Sequence, residues 1–225
     1  MLAAGDSRST LAAGALEELC RTYWYPLYAF LRRQGNSPEN AQDLVQGFLA
    51  HLLRNERLAQ VAPEKGRFRS FLLASLKNVA RDQADKANAL KRGGGEETVS
   101  FDAATAEERF ALEPSDLNDP ARVFERRWAM TLLERTLTRL EQENTAGPRR
   151  AKFEGLRSFL LGDPTDQTYA EIGRQLGLSE GAVKVAVLRL RQRYRELFRD
   201  EIANTVASEA EIEDELRHVF TVLAG

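Results

Sequence analysis

The amino-acid sequence predicts an all-α fold, two small helical domains joined by an acidic linker, the second containing a helix-turn-helix. Three observations lead there. Apolar residues recur at spacings of three and four through most of the 225 residues, and strand-like alternation is absent. The clusters Gly93-Gly94-Gly95, Gly147-Pro148 and Gly162-Asp163-Pro164 cut the periodic stretches into helix-sized pieces. Charge comes in blocks. Lys65 to Arg92 holds eight basic residues against Asp82 and Asp85, Glu96 to Glu125 holds nine acids against Arg109 and Arg122, and Lys184 to Arg199 holds six basic residues against Glu196. A net charge of −2 hides this asymmetry, which suggests two separate places for meeting phosphate. The expected boundaries are a first domain over 11–92, a linker over 93–120, a second domain over 121–200 and an acidic helical tail over 201–225.

The first helix is expected from about Leu11 to Arg33, with Leu16, Leu19, Tyr23, Leu27 and Leu31 on one face and a kink at Pro26, which lacks an N–H. The second starts at Ser37-Pro38-Glu39, where serine caps free amides, proline suits the first turn and glutamate complements the helix dipole. Its buried face is Ala41, Leu44, Val45, Phe48, Leu49 and Leu52, and its wet face is Glu39, Gln42, Asp43 and Gln46. The third runs from about Phe68 to Leu90 on a stripe of Phe68, Phe71, Leu72, Leu76 and Val79, with Lys77, Asn78, Arg81, Asp82 and Lys86 elsewhere. The stretch from Glu96 to Asp119 is acidic, weakly periodic and proline-bearing, a linker with at most short helical pieces. About 30 flexible residues would have a root-mean-square span near 30 Å. Helix resumes from Pro120 to about Glu143 on Phe124, Trp128, Leu132, Leu133, Leu137 and Leu140, and another runs from about Arg149 to Leu161.

The segment from Thr168 to Val187 is the most informative. Thr168 and Glu171 have capping-box spacing, Ile172 and Leu176 form an inner face, and Gly173 leaves room for a close approach. Gly177 is expected to end the helix in a left-handed conformation, Leu178 to fill the space beneath the turn, and Ser179 to cap the next helix. That helix is buried along Val183, Val187, Leu190, Tyr194 and Leu197 and carries Glu180, Lys184, Leu188, Arg191 and Arg195 on other surfaces. Spacing, glycine placement and capping together read as a helix-turn-helix. Such a helix fits the major groove, its N-terminal side chains at base edges and its C-terminal arginines at phosphates. Beyond Asp200, residues Glu201 to Leu223 form a further amphipathic helix expected to pack on the second domain; competition of its acids with phosphate for the basic helix is a weaker reading.

Tyr169-Ala-Glu-Ile through Gly181-Ala-Val-Lys-Val, followed by an arginine-rich helix, resembles the upstream-element reader of the extracytoplasmic-function (ECF) group of bacterial RNA polymerase sigma factors. Ala41-Gln-Asp-Leu-Val-Gln resembles the family segment that docks on the clamp helices of the polymerase. Phe68-Arg-Ser-Phe-Leu-Leu-Ala-Ser-Leu-Lys-Asn-Val-Ala-Arg-Asp resembles the segment that opens and reads the −10 element, and Tyr23-Trp-Tyr-Pro-Leu-Tyr fits the first helix. The resemblance covers about residues 15–92 (region 2-like) and 122–200 (region 4-like). It implies polymerase contacts at Glu39, Gln42, Asp43 and Gln46, and −10 contacts and melting at Lys65, Arg67, Arg69, Lys77, Asn78, Arg81, Asp82 and Lys86. Contacts with the −35 element are implied at Ser179, Lys184, Leu188, Arg189, Arg191 and Arg195. Gly47 departs from the family's frequent acid and Phe71 from its usual tryptophan. The implied partners are core RNA polymerase and promoter DNA, with an anti-sigma factor or other regulator left open, and no cofactor or membrane.

The alternative reading is a conventional helix-turn-helix regulator with an N-terminal dimerisation or ligand domain; it leaves the second basic block and the Phe68–Asp82 pattern unused. An enzyme is not expected, since His51 and His218 are far apart in sequence, Cys20 sits in an apolar helix face, and no metal-ligand spacing or phosphate-cradling glycine loop occurs. An RNA-binding module would call for aromatic-rich strands. With Cys20 as the one cysteine no intrachain disulfide can form, no run approaches the roughly 18–20 apolar residues of a membrane span, and no signal peptide is read, so the expected compartment is the cytoplasm.

Overall fold

The computed structural model describes residues 18, 20–54, 68–89, 103–112, 119–145, 147–161, 168–206 and 208–224. Their order is α1 (20–33), α2 (Pro38–Arg54), α3 (Phe68–Ala89), α4 (Ala103–Ala111), α5 (Pro120–Glu143), α6 (Pro148–Leu161), α7 (Tyr169–Leu176), α8 (Glu180–Ala203), a 3₁₀ turn at Glu209–Glu211 and α9 (Ile212–Ala224). Among the described residues there is no strand, and no helix is long and apolar enough to cross a membrane. The chain forms two compact units, Met1–Thr131 with Thr205–Gly225, and Leu132–Asn204.

In the first unit α1 is the central element. Every residue from Thr22 to Leu31 is buried, so the helix is covered on all sides, more than its single expected face requires. It runs helically through Pro26 and ends where Gly35 turns to φ 90°, with the Asn36 N–H donating to the Leu31 carbonyl. The Ser37 hydroxyl accepts from the Asn40 amide at 3.2 Å to open α2, whose Ala41, Leu44, Val45, Phe48, Leu49 and Leu52 are buried as the periodicity predicts. From α3 come Leu72, Leu73 and Leu76, while Phe68 meets Tyr23 edge-on at 5.5 Å between ring centres.

Two segments join this unit unexpectedly. Nine residues of the acidic stretch form α4, which packs on α1: Glu107 binds Arg32 at 2.6 and 2.9 Å and accepts from the Tyr28 hydroxyl at 2.6 Å. The tail helix α9 also belongs here and not to the second unit, correcting the expected packing of the tail. Ile212, Glu215 and Val219 are its buried face. Glu215 meets Arg69, which also binds Glu125 at 2.6 Å and lies 4.5 Å from the centre of the Trp128 ring. His218 approaches Glu125 at 2.9 Å. A short helix gains little from its own hydrogen bonds, so tertiary partners of this kind decide whether it forms.

The second unit consists of residues 132–143 of α5 with α6, α7 and α8. One core cluster joins Leu156, Ile172, Val183, Ala186 and Val187; another joins Leu140, Phe153 and Leu197. Helix α8 continues through Glu201 and Ile202, which the sequence assigned to the tail. Both are buried, and Glu201 binds Arg135 at 2.9 Å and Arg139 at 2.7 Å.

Candidate nucleic-acid interface

Helices α7 and α8 are joined by the three residues Gly177, Leu178 and Ser179. The Thr168 hydroxyl accepts from the Glu171 amide at 3.2 Å while the Glu171 carboxylate accepts from the Thr168 amide at 2.6 Å, a reciprocal cap that also holds the Glu171 carboxyl below its ordinary range. Gly177 adopts φ 66°, ψ 31°, and the Leu178 N–H donates to the Gly173 carbonyl at 2.8 Å. A Cβ on Gly173 would stand 2.6 Å from the Leu178 carbonyl oxygen, so the turn closes only over a glycine. Ser179 accepts from the Ala182 amide at 3.2 Å and starts α8. With the turn fixed by backbone contacts and Leu178 set against the core, the outward face of α8 is held in one orientation.

On that face the expected residues Ser179, Lys184, Leu188, Arg189, Arg191 and Arg195 are all exposed. Lys184 is paired with Glu180 at 2.6 Å, which pushes its ammonium pKa up. Arg191 donates to the Phe159 carbonyl at 2.7 Å. Arg193 is bidentate on Glu143 and reaches Glu196, drawing both carboxyls below their ordinary range. Arg189 and Arg195 have no ion-pair partner among the described residues. Arg189 also lines a groove of about 340 Å³ with Arg149, Lys152 and Arg193 over Leu140, Phe153 and Leu156. The sequence reading passed over Arg149 and Lys152 because they stand on α6, distant from the recognised motif. It also passed over Val185, 47% exposed, whose place one turn before Leu188 was legible in the helical spacing.

In the first unit the expected residues divide. Lys77, Asn78, Arg81 and Asp82 are exposed on α3, with Arg81 donating to Asn78 at 3.0 Å and the Lys77 ammonium 5.5 Å from the centre of the Phe30 ring. Arg69 is a correction: it stands in the first turn of α3, 2% exposed, and its charge is taken up by Glu125 and Glu215 instead of facing solvent. Lys65 and Arg67, and the side chain of Lys86, lie outside the described residues. On α2, Glu39 and Asp43 are exposed and Gln42 is half-buried. Gln46 departs from the expected wet face, because both polar atoms of its amide are buried and have no hydrogen-bond partner among the described residues. The Glu39 carboxyl is held low by its own backbone amide and the Ser37 hydroxyl, as an acid at a helix start should be. Gly47 is exposed with open space around it.

Residues 19–89, which take in α1, α2 and α3, match the family model of Sigma-70 region 2. The chain contains a Sigma-70 region 2 domain. Its presence implies a sigma factor, a protein that binds core RNA polymerase and recognises promoter DNA. No curated protein and no solved structure matches the chain. The exposed polar faces of α2 and α3 are thus surfaces of a region 2 domain, and the buried Arg69 is an internal ion pair at the start of its third helix.

Proposed function

We propose that the chain is an ECF-group sigma factor of the cytoplasm. Its region 2 docks on core RNA polymerase and opens the −10 element, and α7 and α8 act as a region 4-like helix-turn-helix on the −35 element. The observation that carries the reading is the co-occurrence, on one chain and in family order, of the region 2 match over 19–89 and the capped, glycine-turned helix pair from Tyr169 to Ala203.

The polymerase-facing residues are Glu39, Gln42 and Asp43 on α2, and Gln46 joins them by turning outward its buried amide, which is unpartnered among the described residues. Lys77, Asn78, Arg81 and Asp82, joined by Lys65, Arg67 and Lys86, meet the separated strands. Extruding a base costs a few kcal/mol, and stacking on an aromatic side chain returns about 1–3 kcal/mol per base. A region 2 domain with cations beside polar side chains therefore traps open DNA without nucleotide hydrolysis. On α8, Ser179, Lys184 and Leu188 face base edges, and Arg189, Arg191 and Arg195 face phosphates.

Run-off transcription with core RNA polymerase and a library of promoter duplexes tests this. The full chain should co-elute with core enzyme and yield defined transcripts. Duplex binding without association with core enzyme or initiation would identify a conventional helix-turn-helix regulator instead.

A further inference from the structure

Large apolar side chains seldom remain in water when a small shift would cover them, yet α8 presents two, Val185 at 47% and Leu188 at 63% exposure. Singly, each would be unremarkable for a surface. Their placement sets them apart. At 3.6 residues per turn, Gly181, Val185, Leu188, Gln192, Arg195 and Arg199 follow one another along the side of α8 opposite its buried stripe, all exposed. The first half of that line is apolar and the last part is cationic. Gly181 has open space around it, so another molecule can come close to the backbone there.

In the free chain the donors beside the apolar half have intramolecular partners, which DNA must displace before Lys184 or Arg191 can serve it. Lys184 is held by Glu180, Arg191 by the Phe159 carbonyl, and Arg193 by Glu143 and Glu196. The part of α8 that would enter a groove first therefore offers methyl groups more readily than hydrogen bonds. In the major groove the apolar feature of a base edge is the C5-methyl of thymine. The flanking cations Arg189 and Arg195 suit a polyanion better than an apolar protein surface.

We infer that Val185 and Leu188 read thymine C5-methyl groups on neighbouring base pairs, giving α8 a preference for thymine-bearing sites set by apolar contact. Three residues of helix rise about 4.5 Å, against 3.4 Å per base step, so the two side chains reach adjacent or next-but-one thymines. This rests on α8 acting in the major groove, as proposed above.

Deoxyuridine differs from thymidine by that methyl alone, which makes the test direct. Duplexes with a randomised 12-base-pair centre are enriched on the full chain, and the selected duplex is remade with each thymine in turn replaced by deoxyuridine. One or two replacements should each weaken binding about fourfold, the worth of one buried methyl. V185A and L188A, at exposed positions that leave the fold intact by circular dichroism, should each weaken the thymine duplex about as much. The double variant should bind thymine and deoxyuridine duplexes equally. Full affinity for every deoxyuridine duplex, or a double variant that keeps the wild-type penalty, overturns the inference and leaves DNA binding by α8 standing. Loss of core polymerase association in V185A and L188A with unchanged duplex binding overturns it in favour of a protein contact. Failure to enrich any duplex overturns the inference, while the sigma-factor reading is decided separately by the run-off assay with core enzyme.

Discussion

Arg69 lies under the Trp128 ring between Glu125 and Glu215, with both Arg69 and Glu215 2% exposed. Ions removed from water are costly unless paired, so loss of one partner is felt more than the pair's own contribution. R69M should destabilise the first unit by about 3–5 kcal/mol, read as a lower urea midpoint at unchanged slope. Adding E215M, which removes the orphaned carboxylate, should recover most of that; a double variant no more stable than R69M would show that the buried charge is not the cause. Arg69 also shows where sequence falls short. It stands in a basic block, but block charge does not say which side chains turn inward, and its partners are distant in sequence. The turn between α7 and α8 was legible to the residue because Thr168 with Glu171, Gly173 with Leu178, and Ser179 with Ala182 are all near neighbours in the chain.

Helix α4 is joined to α1 through one carboxylate and also buries Ala106. Its Glu107 carboxylate gathers the Arg32 guanidinium and the Tyr28 hydroxyl, and Phe110 lies 5.0 Å beneath the Arg32 guanidinium. The Arg32 hydrogen bonds hold the Glu107 carboxyl below 4.5, and burial together with Glu107 pushes the Tyr28 phenol up to about 12. A carboxyl whose pKa is depressed by folding stabilises the fold fully above its unfolded value and loses that contribution as pH falls through the folded one. E107Q should therefore lower Tm by a few degrees near neutral pH, corresponding to about 1 kcal/mol for a partly exposed pair. The gap to wild type should narrow below pH 4.5; a gap constant from neutral to acid pH would mean that the charge is not what fastens α4. The stretch read as linker because it is acidic and weakly periodic, and nine residues show too little pattern to outweigh composition. The long helices α2 and α8 repeat their apolar spacing often enough to be read with their faces, whereas α5 buries Val123, Ala129, Thr131 and Thr136 beside the face its spacing predicts, and leaves Leu133 and Leu137 half-buried.

The whole chain, at net charge −2, has no general attraction for nucleic acid, so DNA affinity must come from local surplus. The structure divides the cations of α8 into two kinds that the sequence counts alike. Arg193 is engaged by Glu143 and Glu196, while Arg195 is exposed and has no ion-pair partner among the described residues. Each phosphate neutralised by a cation releases counterions and contributes about −0.9 to the slope of log K against log salt concentration. If α8 lies along DNA, R195A should make that slope shallower by about one and weaken all duplexes alike, whatever their sequence. R193A should leave the slope nearly unchanged, because its charge is already balanced within the protein. Equal effects of the two substitutions would mean that the Glu143 pair opens on binding, and no effect of either would place the phosphate contacts away from this half of α8. The salt series thus separates fold-building arginines from DNA-facing ones, a division that basic-residue counts cannot make.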